Sequence, residues 1–222
     1  MRPGSFSLLL VAGTMMYVLN ALAITSTAGA IIEQMARLGL LFAGIYVLSA
    51  RRMAAWLGTI LGALVCALDV GVLRLDPRVV RVLGDSITAA FLVWVLTVIL
   101  REVFRPVTTE RNAIMGALGG FLLILTIFTR VHGLIEAVSP GAYRREGGAV
   151  SARAAAAEEV ATFQYFSTVT MTTVGFGDIV PVTLGARLVT GLEAIVGQFY
   201  VAVVIAALVG RAAAARSADR TP

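Results

Sequence analysis

The residues of this chain whose types and spacing could do chemistry lie between two apolar stretches near its carboxyl end. Their order is Thr172, Thr173, Val174, Gly175, Phe176, Gly177 and Asp178. Glycines at alternate positions let the backbone take positive φ values that other residues adopt only at a cost. Such a backbone can aim successive carbonyl oxygens at one axis, where they replace the hydration shell of a cation. The segment therefore favours the coordination and passage of an ion by main-chain oxygens.

A potassium ion needs several oxygens in place of the water that it sheds, and rings of backbone carbonyls supply them. The predicted selectivity filter covers residues 173–178, with K⁺ held at Thr173, Val174, Gly175 and Phe176 and the filter continuing through Gly177. The Thr173 hydroxyl is expected to form the innermost ring. One chain supplies a quarter of each ring, so the sequence predicts a homotetramer with K⁺ as permeant ion and no cofactor. A filter with fewer ordered rings would make a weakly selective monovalent cation channel instead.

Side chains next to the filter are expected to support it. Asp178 can hold the outer end by bonding back to the preceding helix, where Tyr165 is the candidate partner, and Thr172 directly precedes the first ligand. Residues 158–172 are too short to cross a bilayer but long enough for about 20 Å of helix. They predict a re-entrant pore helix, whose carboxyl end carries partial negative charge that favours a cation in the pore.

Long apolar runs must hold this segment in a lipid bilayer. Of the 222 residues, 59% are apolar, compared with about 45–50% in soluble domains. A membrane-spanning helix needs about 20 mainly apolar residues. The sequence therefore predicts an all-α, multi-pass protein of the cell membrane with six membrane-spanning helices, at about residues 5–22, 32–50, 53–73, 79–100, 113–138 and 184–210.

These helices divide the chain into two regions. Residues 1–105 are predicted to form a four-helix N-terminal membrane region, and residues 106–222 a pore module with outer helix 113–138 and inner helix 184–210. The linker at residues 142–157 is rich in Arg, Gly and Ala and is expected to lie in water. As an alternative for the first helix, the small residues that end at position 23 resemble the cleavage site of a signal peptide.

The N-terminal region is not predicted to be a typical voltage sensor. A voltage sensor needs several arginines at three-residue spacing within one apolar helix. The candidates, Arg74, Arg78 and Arg81, lie around a proline at the start of the fourth helix, and residues 86–100 carry no charge. The stimulus that opens the pore is not apparent from this pattern.

The inner helix contains candidate gating residues. Gly197 lies 20 residues after Gly177, where a glycine either eases bending or lets helices pack closely. Val201 and Ile205, one and two turns further on, can form an apolar constriction that closes by dewetting.

Two ionisable residues in the predicted helices have structural interpretations. Glu193 is expected to accept bonds from pore-helix threonines or to pair with Arg130, since ionisable groups in membranes are costly. His132, the single histidine, is expected at the membrane boundary rather than as a pH sensor.

Charge and motif content exclude several function classes. All 18 basic residues are arginine, the net charge is +5, and the arginines are spread through the loops. Without a coherent basic stripe, nucleic-acid binding is not expected, and the arginines can instead contact anionic headgroups. No nucleotide motif, metal-ligand cluster or nucleophile constellation predicts an enzyme. A transporter subunit, or an accessory membrane protein with a degenerate pore, is the alternative from another class.

The segment from Phe166 to Pro181 resembles the signature of the potassium channel superfamily. Three further stretches, 134–136, 139–141 and 192–200, are similar to bacterial members of the two-helix-pore ion channel family with extra N-terminal helices. The resemblance covers about the last half of the chain. It implies a tetrameric potassium channel with the filter at residues 173–177.

The sequence departs from this signature at two positions. Phe176 stands where tyrosine is more usual, so a bracing hydroxyl is missing and a less rigid filter is expected. Val169 stands where some relatives place a glutamate that bridges to the aspartate after the filter.

Overall fold

The computed structural model describes residues 5–22, 27–48, 52–69, 76–105, 110–145, 148–150 and 156–218. Within them, seven helices and three short strands form. The helices are α1 (Ser5–Leu22), α2 (Thr27–Leu48), α3 (Arg52–Asp69), α4 (Pro77–Val103), α5 (Glu110–Val138), α6 (Ala156–Met171) and α7 (Leu184–Ala218). The strands are β1 (Tyr143–Arg145), β2 (Gly148–Ala149) and β3 (Ile179–Pro181).

Three of the described helices are long and apolar enough to cross a membrane. Their apolar stretches are Arg78–Val103 in α4, Arg111–Val138 in α5 and Leu184–Ala207 in α7. Shorter apolar stretches occur at Phe6–Ala21 in α1 and Trp56–Val65 in α3. The fold is thus mostly helical and suited to a membrane, while the number of six membrane-spanning helices stays a prediction.

The start of α4 shows how local sequence sets a helix boundary. Asp76 is the N-cap residue, and its Oδ1 accepts a hydrogen bond of 2.8 Å from the Arg78 amide. Pro77 occupies the first helical position, where its fixed φ suits the helix. An N–H at this position would have no acceptor within the helix, so its absence in proline costs no hydrogen bond. Helix α4 therefore begins two residues before the predicted start at about residue 79. Arg74 lies outside the described residues.

One hydrophobic core joins the N-terminal helices to α5. Its buried side chains are Phe6, Leu9 and Met16 from α1, Leu40 and Leu41 from α2, Phe91, Leu92, Val95 and Ile99 from α4, and Leu123 and Ile127 from α5. Gly44 on α2 permits the closest approach, because a Cβ at this position would lie 2.8 Å from the ring of Phe91. The result is a packed bundle against which the pore elements rest.

The pore helix α6 lies between several elements. It packs on α5 and α7, and it also contacts α1 and α2 of the N-terminal region. The outer helix begins at Glu110 rather than residue 113, the pore helix covers 156–171 rather than 158–172, and the inner helix continues to Ala218. The predicted order of these elements is present, with boundaries shifted by a few residues at most except at the end of α7.

The linker at residues 142–157, which is predicted to lie in water, contains part of a sheet that the sequence did not predict. Strand β1 pairs antiparallel with both β2 and β3, which gives the order β2-β1-β3. Arg144 lies opposite Ala149 on one side and Val180 on the other. Strands of two and three residues are too short to show alternation of polar and apolar residues, which explains why the sequence did not reveal them.

Candidate ion-conduction site

The candidate filter leaves the end of the pore helix through main-chain hydrogen bonds. The Val169 carbonyl accepts from the amides of both Val174, at 2.9 Å, and Gly175, at 3.1 Å. The Thr173 amide donates to the Thr170 carbonyl at 3.1 Å. Carbonyls at a helix end otherwise have no intrahelical partner, so the end of α6 fixes the base of the filter.

The backbone of this segment alternates in handedness. Thr173, Gly175 and Gly177 have φ values of +59°, +56° and +79°, while Val174 and Phe176 do not share this positive φ. An ordinary extended strand turns successive residues to opposite sides. A change in the sign of φ at every second residue brings successive carbonyls to the same side instead. The arrangement is that of a row of oxygens.

Thr173 departs from what the sequence predicted. Only the glycines were expected at positive φ, and a β-branched residue in this region is an outlier that costs about 1–3 kcal/mol. Such strain persists where surrounding structure fixes it, and here the Thr173 amide is bonded to the end of α6. The strained residue is also the one predicted to form the innermost ring of oxygens.

The outer end of the segment is attached to the pore helix through an aromatic side chain. The Tyr165 ring stacks on Phe176 with centroids 6.4 Å apart and planes 3° apart, and Tyr165 and Asp178 line the same pocket. The Thr172 hydroxyl donates to the Thr168 carbonyl at 2.6 Å at the other end. The structure therefore brings the predicted support residues together around the segment.

The sheet attaches the segment to the outer helix. Strand β3 directly follows Asp178 and pairs with β1. The buried Glu136 carboxylate at the end of α5 accepts from the Gly141 amide at 2.7 Å and the Tyr143 amide at 3.0 Å. Sequence reasoning assigned Glu136 no role, although a carboxylate at the end of an apolar helix before Ser-Pro-Gly is a signal of such a turn. Glu136 thus positions β1, and through β1 the exit of the filter.

The expectation that His132 is a boundary residue is wrong. Its side chain is fully buried; Nδ1 lies 2.6 Å from the Tyr143 hydroxyl and Nε2 lies 2.8 Å from Glu193. The rings of Phe163 and Phe166 pack around it. Burial raises the pKa of the Tyr143 phenol, with the charge of Glu193 acting in the same direction. The His132 ring therefore links the Tyr143 hydroxyl to the Glu193 carboxylate.

The predicted partners of Glu193 are also wrong. The carboxylate bonds to His132 rather than to pore-helix threonines, and Arg130 pairs with Asp85 of α4 at 3.1 Å. The two members of each pair come from different helices, so tertiary packing decides which side chains pair. His132, Tyr143 and Glu193 thus join α5, β1 and α7 at one point.

Gly197 lies in close contact with the end of the pore helix. A Cβ there would be 2.9 Å from the Met171 carbonyl oxygen and 3.1 Å from its Cα. Helix α7 is continuous through this position. Of the two interpretations of Gly197, this geometry favours close packing over a bend. Val201 and Ile205 are exposed in the single chain, and their gating role stays a prediction.

Replacing Gly197 with alanine will lower the thermal stability of the purified protein. The added methyl group meets backbone atoms of Met171 that cannot rotate away, and overpacking of this kind costs about 1–3 kcal/mol. Gly191→Ala is the control, because a Cβ there meets nothing within 4 Å in the chain. If Gly197 acted only as a hinge, the two variants would have equal melting temperatures. Gly197→Ala would then change only the fraction of time that the pore is open.

A short helix that ends in non-helical backbone before a long apolar helix defines a class of membrane protein. Irregular backbone at membrane depth is tolerated only where protein buries it or water reaches it, and a row of carbonyls that faces water is suited to ion passage. The class is that of membrane pore proteins.

Residues 148–213 match the ion channel family. This part of the chain contains α6, the candidate filter and most of α7. Its match confirms the resemblance predicted from the filter motif. The family is one of channels rather than enzymes. No curated protein and no solved structure matches the chain. The match begins at residue 148, so the division of the chain at residue 105 stays a prediction.

Proposed function

We propose that four copies of this chain form a potassium-selective channel in the cell membrane. K⁺ passes down its electrochemical gradient and is ligated by the carbonyls of residues 173–177. The single observation that carries the proposal is the alternation of φ at Thr173, Gly175 and Gly177, between a re-entrant helix and an apolar helix. This alternation has no use in an accessory protein with a degenerate pore, where the strain at Thr173 would bring no benefit.

The surface of α7 supports assembly of several copies. Only 11% of its most apolar stretch is buried within the chain. Exposed apolar side chains follow one face at helical spacing: Leu184, Leu188, Leu192, Ile195, Phe199 and Val203. A stripe of this kind suits packing against another helix. Four-fold symmetry would place the stripes between neighbouring inner helices and would complete each ring of carbonyls.

The chemistry of the filter favours a monovalent cation with weakly held water. Its proposed ligands are neutral main-chain oxygens, and the carboxylate that follows them in the chain, Asp178, lies at the outer end beside Tyr165. Divalent cations such as Ca²⁺ prefer sites that include carboxylates. K⁺ exchanges its hydration shell for carbonyl oxygens at little net cost. These features support K⁺ as the permeant ion.

One observation favours the weakly selective alternative. Phe176 has no hydroxyl group, is 69% exposed in the single chain and is braced by stacking on Tyr165. Ring stacking therefore holds the aromatic residue of the filter, which has no side-chain hydrogen bond of its own. If the middle rings widen, Na⁺ will pass as well.

Ion flux into liposomes that contain the purified protein will distinguish these functions. We expect uptake of K⁺ down its gradient, with Na⁺ uptake at the level of liposomes without protein. Similar uptake of the two ions would establish the weakly selective channel. A protein that is monomeric by native mass measurement and passes neither ion would contradict both.

A further inference from the structure

Helix α1 contacts the pore helix through a pair of buried amide side chains. Asn20 Nδ2 donates to Gln164 Oε1 at 2.9 Å, and Gln164 Nε2 donates to the Tyr17 carbonyl at 2.9 Å. Asn20 is 1% exposed and Gln164 is 6% exposed. Both ends of the Gln164 amide are therefore bonded to one helix, which lies outside the segment that matches the ion channel family.

A second bond lies one turn further along the pore helix. The hydroxyls of Tyr17 and Thr168 are 3.2 Å apart. Because the Thr168 hydroxyl donates to the Gln164 carbonyl at 2.7 Å, the Tyr17 hydroxyl is the donor. Gln164 and Thr168 are four residues apart and share a face of α6. Helix α1 thus holds one face of the pore helix at two successive turns.

These buried polar groups are costly unless they are bonded. A buried amide without a partner loses its interactions with water, and apolar side chains at both positions would pack without that risk. Hydrogen bonds between buried amides instead require one distance and one rotation of the two helices. The bonds with Asn20 and Tyr17 therefore fix how α6 lies relative to α1.

The same face of α6 is connected to the filter. The Thr168 carbonyl accepts from both the amide and the hydroxyl of Thr172. The next carbonyl, that of Val169, accepts from the amides of Val174 and Gly175. A shift of α6 at Thr168 would displace these acceptors, which hold the base of the filter.

We propose that α1 positions the filter of this channel, with Asn20 and Tyr17 as positioning residues that act through Gln164 and Thr168. The N-terminal region then determines how long the filter stays conductive and how well it distinguishes K⁺ from Na⁺. This inference rests on the proposed function of the pore and adds a role for residues outside the pore elements.

A contact from another N-terminal helix supports the same role. Arg81 on α4 pairs with the buried Glu159 in the first turn of α6 at 2.7 Å. Arg81 is about one third exposed, so this pair contributes less than a buried pair does. The two contacts hold the pore helix at its start and along its length.

The test uses Asn20→Leu, Gln164→Leu and the double variant, recorded as the full-length channel in planar bilayers. The readouts are the reversal potential with K⁺ and Na⁺ on opposite sides and the rate at which conductance falls when external K⁺ is lowered. Asn20→Leu is expected to speed that fall about five-fold, as loss of one hydrogen bond would. Gln164→Leu removes two hydrogen bonds and is expected to speed it further. Both variants are expected to shift the reversal potential toward zero. The double variant is expected to differ little from Gln164→Leu, because Asn20 acts on the pore helix through Gln164.

Thr14→Leu is the matched control, because Thr14 is exposed on the same helix; it is expected to behave as the wild type. The inference would be overturned if the variants assemble as tetramers and keep both wild-type readouts. It would also be overturned if the effects of the single variants add in the double variant. If the leucine variants fail to assemble, Tyr17→Phe decides, since it removes only the hydroxyl bonded to Thr168. An unchanged Tyr17→Phe channel would then overturn it. A wild-type protein without K⁺ current would instead refute the proposed function itself.

Discussion

Gly175→Ala will abolish K⁺ flux while the protein still assembles. Gly175 has a φ of +56°, and an alanine in this left-handed region costs about 1–2 kcal/mol. Four copies would carry that cost around the same ring of oxygens. The backbone can relieve it by returning to negative φ, which turns the carbonyl away from its neighbours. The expected result is a filter that lacks one ring.

The cost at Gly175 is conformational rather than steric within the chain. A Cβ there meets no atom within 4 Å, so the helices around the filter keep their packing. Gly185→Ala is the control, because Gly185 also has no neighbour within 4 Å and its φ is not positive. Liposome flux assays should show K⁺ uptake with Gly185→Ala and none with Gly175→Ala. Wild-type uptake with Gly175→Ala would refute the assignment of the filter.

The candidate filter could be predicted from sequence because its proposed determinants are local. Alternate glycines, the preceding short helical segment and the following apolar run lie within one continuous stretch of chain. The structure places α6, the non-helical segment and α7 in that order. The positive φ of Thr173 could not be predicted in this way, because it follows from bonds to the end of α6 rather than from the preference of threonine.

The side-chain pairs could not be predicted because they join distant parts of the chain. His132 and Glu193 are 61 residues apart, and Asn20 and Gln164 are 144 apart. A sequence shows that a buried polar group needs a partner but not which helix supplies it. The sequence therefore predicts pore-helix threonines or Arg130 as partners of Glu193, while packing places it beside His132. The same limit explains why the contact between α1 and the pore helix had no signal in the sequence.

Asp85→Leu will strongly destabilise the protein, and adding Arg130→Met will restore most of the loss. Both side chains of this pair are buried, and Arg130 Nη1 lies 3.1 Å from Asp85 Oδ1. Removing one member of a buried pair leaves an uncompensated charge and costs about 3–5 kcal/mol. Replacing both members with apolar side chains removes the desolvation of both charges, and is often neutral. The pair joins α4 to α5, so an unpaired charge at either position destabilises the contact between the N-terminal region and the outer helix.

Thermal unfolding in detergent, together with native mass measurement of the assembled fraction, provides the test. Glu102→Leu is the control, because Glu102 pairs with Arg105, whose side chain is 67% exposed. Exposed ion pairs contribute about 0–1 kcal/mol to stability. We expect a large fall in melting temperature with Asp85→Leu, a small change with Glu102→Leu, and recovery in the double variant. Equal melting temperatures for the double variant and Asp85→Leu would show that the carboxylate acts through a contact other than Arg130. Recovery would show instead that apolar packing holds α4 and α5 together. The ion pair would then be needed only because each buried charge requires a partner of opposite sign.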